Sequence, residues 1–89
     1  MDENAAADTP PHAERTLDVG HEGCGTLLVL LRKQMNELAP GAVLEVVGYY
    51  PGAREDLPSW CRMTRNELLA TTGDLQRGEP IHYFIRKGG

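Results

Sequence analysis

The chain has 89 residues, enough for one domain with a modest buried core and no room for a second. Forty per cent of it is apolar and a quarter charged, an ordinary globular balance, and the longest apolar run, residues 27–31, is far too short for a bilayer span. The net charge of -4 is carried by one end: residues 1–14 hold Asp2, Glu3, Asp8 and Glu14 with no Lys or Arg, whereas residues 15–89 hold nine acids and nine bases.

That acidic, Ala- and Pro-rich stretch cannot bury enough surface to offset its ordering entropy, so residues 1–14 are expected to be a disordered tail and residues 15–89 the folded domain. It has no basic segment followed by an apolar one, so no secretory signal is expected and the cytoplasm is the expected compartment. In a reducing compartment the two cysteines are expected to be free thiols rather than a bridge.

Arg15–Gly20 alternates Leu17 and Val19 with polar neighbours, the period of a short strand, and Gly20 and Gly23 break it. From Gly25, Leu27, Leu28, Leu31, Met35 and Leu38 recur at steps of three and four, which makes an amphipathic helix that Ala39-Pro40-Gly41 ends. Ala42–Tyr50 is β-branched and aromatic and reads as a second strand, parallel to the first through a right-handed crossover. After a turn at Pro51–Arg54, a second helix opens near Glu55 with acids in its first turn, and Asn66 is its expected left-handed cap. In ELLATTGD, residues 67–74, Leu68 and Leu69 could finish that helix while Thr71 and Thr72 prefer a strand, and a short strand is the reading adopted. Ile81–Lys87 reads as a strand alternating Ile81, Tyr83 and Ile85 against His82, Phe84 and Arg86. The order βαβαββ predicts an α+β, two-layer sandwich: a four-stranded mixed sheet with two helices on one face and the other face open.

Cys24 falls between Gly23 and Gly25, where the first loop becomes a helix. Free backbone N–H groups and the positive end of the helix dipole converge there, and both favour a thiolate that can attack sulfur or carry it as a persulfide. An inert cysteine at a tight turn is the competing reading. The glycine spacing fits neither a P-loop nor a dinucleotide fingerprint. His21 is a candidate cation beside Cys24, opposed by Glu22. His21-x-x-Cys24 is only half of a metal site, with isolated Cys61 and His82 left to complete it, so no metal is expected, and no cofactor. Cys61 shares a helix face with Leu57 and reads first as a buried structural thiol, second as a resolving partner for Cys24. Arg54, Arg62 and Arg65 on the second helix, with Arg32 and Lys33 on the first, read as a solvated face or as a docking patch for an acidic partner. A neutral domain with no basic stripe interleaved with aromatics argues against autonomous nucleic-acid binding.

The segments TLDVGHEGCG, LAPGAVLEVV, DLPSWCR, NELL and YFIRKGG, in this order, resemble the TusA family of sulfur-carrier proteins, also called SirA-like, over Thr16 to Gly89. The resemblance implies the same sandwich and a persulfide-bearing cysteine at Cys24. It also implies a cysteine desulfurase or other persulfide donor and a downstream acceptor protein, in tRNA thiolation, cofactor synthesis or sulfur metabolism. The chain departs from the family's Cys-Pro-x-Pro motif, reading Cys24-Gly25-Thr26-Leu27. Tyr49-Tyr50 stands where the family has an acidic pair, and Arg65-Asn66 where Gly-His is frequent. The function expected is therefore a small sulfurtransferase-like carrier, with a non-catalytic interaction or regulatory module on the same fold as the alternative.

Overall fold

The computed structural model describes residues 12–88, Cys24 by its backbone alone. The expected tail lies outside the described residues except for its last three.

The elements run β1 (Arg15–Gly20), α1 (Cys24–Asn36), β2 (Val43–Gly48), α2 (Ala53–Thr64), β3 (Glu67–Thr72), a 3-10 turn (Leu75–Arg77) and β4 (Ile81–Arg86). The predicted order and the α+β sandwich are those observed. The sheet runs β1-β2-β4-β3, with β1 and β2 parallel and β4 antiparallel to both its neighbours. The last strand of the chain thus enters between β2 and β3. Each parallel strand ends beside the other, Gly20 opposite Gly48, so the loops that follow them share one edge of the domain.

Apolar periodicity decides what is buried. Leu27, Leu31 and Met35 of α1 and the row Ala53, Leu57 and Cys61 of α2 close over Val19, Leu44, Val46, Ile81, Tyr83 and Ile85 of the sheet. These helix residues stand four apart, one turn above the next, so each helix buries one stripe. On the sheet's other face His82 Nδ1 lies 2.6 Å from Glu45, which also accepts from Thr16 at 3.1 Å. Phe84 is buried on that face too.

Three local expectations are corrected. Helix α1 ends at Asn36, four residues before Pro40, because its last carbonyls turn to shorter bonds: Glu37 donates to Gln34 and Leu38 to Met35. Helix α2 begins at Ala53 rather than Glu55, since the Gly52 carbonyl already accepts from Glu55 and Asp56, and Pro58 therefore sits in its second turn. Pro58 there sacrifices only the bond to the Arg54 carbonyl. The left-handed residue after α2 is Arg65 (φ 62°, ψ 31°), not Asn66. Asn66 instead donates its backbone N–H to the Cys61 carbonyl (2.8 Å) and accepts from Gly88 N–H through its side chain (2.9 Å). Tying the chain's end in that way leaves the left-handed position one residue earlier.

Strand β3 is the predicted strand with an irregularity: the register with β4 slips between Leu68 and Ala70, a bulge in an edge strand. Before β1, Glu14 bonds to Val43 through both backbone (2.9 Å) and carboxylate (2.6 Å).

Candidate functional site

The loop from β1 to α1 is built by backbone demands. The Asp18 carboxylate accepts from Gly20 N–H at 2.9 Å, Gly20 takes the left-handed φ of 55°, and Glu22 N–H closes a turn on the Val19 carbonyl at 3.0 Å. Across the parallel pair, Tyr49 N–H donates to the Gly20 carbonyl at 2.8 Å and fastens this loop to the one after β2.

Gly23 is the N-cap of α1 and offers no side-chain cap; the first helical bond runs from Leu27 N–H to the Gly23 carbonyl at 2.8 Å. The N–H groups of Cys24, Gly25 and Thr26 accordingly have no acceptor within the helix. No acidic residue lies in this first turn. Cys24 is the first residue of α1, on an end whose partial positive charge is uncapped. Gly25 is exposed, and a Cβ there would meet nothing within 4 Å.

His21 is exposed and stacks on Tyr49, ring centroids 4.6 Å apart at 13°. The pair joins the two loops at the edge where Cys24 sits. The stack was not foreseen: parallel pairing places Tyr49, 28 positions along the chain, beside His21.

Cys61 lies on the core side of α2, 2% exposed, and is a free thiol. Burial pushes it up to about 11. Arg54 and Arg62 of α2 and Arg65 just after it do not form one patch. Arg54 lines a shallow groove with Pro51, Asp74 and Gln76, Arg65 lines a cleft at the other end of the helix, and Arg62 donates to Ser59 at 3.3 Å. Arg54 and Arg65 are eleven residues, about 16 Å, apart along the axis. Val29 and Met63, 68% and 77% exposed, are surface apolar groups. Among the described residues no group of three or more His, Cys, Asp or Glu is placed to hold a metal ion.

A cysteine opening an uncapped helix, at the carboxyl edge of a parallel strand pair in a two-layer sandwich, defines a small thiol-bearing α+β protein. The family model described as sulfurtransferase TusA matches residues 15–87, almost the whole chain, and the protein belongs to that family. Membership implies a sulfur-carrier role in a sulfur relay, working with donor and acceptor proteins.

Proposed function

We propose that Cys24 is the residue that carries the sulfur. Its thiolate attacks the outer sulfur of a donor persulfide, such as that of a cysteine desulfurase. The new bond forms between Cys24 Sγ and that sulfur, the donor S–S bond breaks, and the donor leaves as a thiolate. An acceptor thiolate then attacks the sulfur held on Cys24, which leaves in turn as a thiolate. No external oxidant or reductant enters either exchange. The observation that carries the reading is the position of Cys24 at the first residue of a helix whose opening N–H groups are uncapped. Such an end favours the thiolate as nucleophile and leaving group.

Gly23 and Gly25 keep side chains away from the approach, and His21, held on Tyr49, adds polar and, when protonated, cationic character to the same edge. Arg54, Arg62 and Arg65 are separate contact points for partners rather than one patch. Residues 15–89 act as the carrier domain, in the cytoplasm; among the described residues no helix is long and apolar enough to cross a membrane.

Incubation with a cysteine desulfurase and cysteine, followed by intact-mass measurement, tests the proposal. The expected result is the gain of one sulfur atom by the native chain and by Cys61→Ser, and none by Cys24→Ser. Equal labelling of native and Cys24→Ser chains refutes it.

A further inference from the structure

At the end of the domain away from Cys24, the last turns of α1 and α2 and the segment after β4 enclose a cleft of about 430 Å³. That volume lies in the range of roughly 300–1,000 Å³ usual for small-molecule sites. It opens about 12 Å along α1 from Cys24, counted from Arg32 at 1.5 Å per residue. Arg32, Arg65, Lys87 and Trp60 line it, together with Met35, which is itself buried. Among the described residues no carboxylate lines it, in a chain whose net charge is -4.

Two helix carboxyl ends meet here, and their carbonyls would repel an anion unless occupied. They are occupied. Lys87 Nζ donates to the Leu38 carbonyl (2.6 Å), Thr64 Oγ1 to Trp60 (2.7 Å), and the N–H groups of Asn66 and Arg65 to Cys61 and Arg62. The Asn66 side chain is used as well, donating to Thr64 (2.8 Å) and accepting from Gly88. The wall is thus partly satisfied by its own groups, while the guanidiniums of Arg32 and Arg65 have no partner among the described residues.

Arg65 carries a second, independent signal. It is the one non-glycine residue with positive φ among those described, at a helix end where glycine fits without steric cost. Its carbonyl is pressed against Gly88, where a Cβ would clash. A long cation thus stands at a position whose backbone conformation glycine adopts at lower cost.

We infer that this cleft binds a nucleotide, its phosphate on Arg32 and Arg65 and its base against Trp60. Guanidiniums match phosphate oxygens with paired donors, and an indole offers a flat face to a ring. The inference is independent of the sulfur-transfer reading, because neither Cys24 nor its loop takes part.

Trp60 is the only tryptophan, so its fluorescence reports the site alone. The full chain is titrated with AMP, adenosine, inorganic phosphate and a short single-stranded oligoribonucleotide at low salt. Saturable quenching by AMP is expected, with adenosine and phosphate each much weaker. Arg65→Gly removes the cation without disturbing the left-handed turn. It should raise the AMP Kd roughly tenfold or more, the loss of one charge-assisted contact, while the thermal melt stays at or above the native value. Arg32→Gln, exposed on α1, should do the same. Tighter binding of the oligonucleotide than of AMP assigns the nucleotide to an RNA chain, and the reverse to the free pool; both support the site. Absence of saturable quenching at millimolar AMP overturns the inference, as does an unchanged Kd in Arg65→Gly or equal binding of phosphate alone.

Discussion

Replacing Cys24 by Ser leaves Cys61 as the single thiol, and its reactivity can be worked out from where it sits. Its side chain is 2% exposed between the helices and the sheet, and burial pushes the thiol from 9.0 to about 11. At pH 8 a thiol of pKa 9 is about one part in ten thiolate, and one of pKa 11 about one part in a thousand, a hundredfold fall in the attacking species. The Cys24→Ser chain mixed with a disulfide reagent at pH 8 should therefore react at least about a hundredfold more slowly folded than in strong urea. The same shift ties stability to alkaline pH. Since the folded value is raised, the stabilisation is complete below pH 9, where both states are protonated, and is lost as pH rises through 9 towards 11, by up to about 3 kcal/mol. A Cys61→Ala chain should lack that part of the alkaline loss in urea melts. Folded-state reaction within about tenfold of the unfolded rate would refute the reasoning, and would restore Cys61 as a resolving thiol for Cys24.

Leu57, fully buried under α2, should cost about 2–5 kcal/mol as Leu57→Ala, read from the urea midpoint at unchanged slope. Two glycine substitutions should go in opposite directions. Gly25→Ala meets open space in the first turn of α1 and should leave stability unchanged or raise it by up to about 1 kcal/mol, whereas Gly73→Ala combines φ 104° with a clash on the Pro80 carbonyl and should markedly lower the melting temperature. The Glu14 carboxyl is held below the ordinary glutamate range by the Val43 N–H it accepts. Its contribution is therefore present above the unfolded value and lost as pH falls through the lower folded one. Protection of the Val43 amide, taken relative to its intrinsic exchange rate at each pH, should fall across that acid window in the native chain, and Glu14→Gln should remove the pH dependence.

Much of the fold was legible because periodicity is a local property. Leu27, Leu31 and Met35 announce a helix face and Ile81, Tyr83 and Ile85 a strand face whatever surrounds them, and both sets are buried as read. The helix boundaries were less legible. The acids at Glu55 and Asp56 pointed to a helix starting there, but the Gly52 carbonyl accepts from both their N–H groups and supplies the earlier start. Asn66 looked like the left-handed residue by type, yet its side chain was claimed by Gly88, 22 positions away, and the turn fell to Arg65. No local pattern carries a bond of that span.

By itself the sequence determined the order βαβαββ, the buried stripes and the position of Cys24 at the opening of α1, because backbone geometry and side-chain period act over a few residues. The tertiary structure alone decided the insertion of β4 between β2 and β3, the stack of His21 on Tyr49, the separation of Arg54 from Arg65 and the gathering of Arg32, Arg65, Lys87 and Trp60 around one cleft. These residues are far apart in the chain, and only the pairing of strands and the closing of helices over the core bring their side chains within reach.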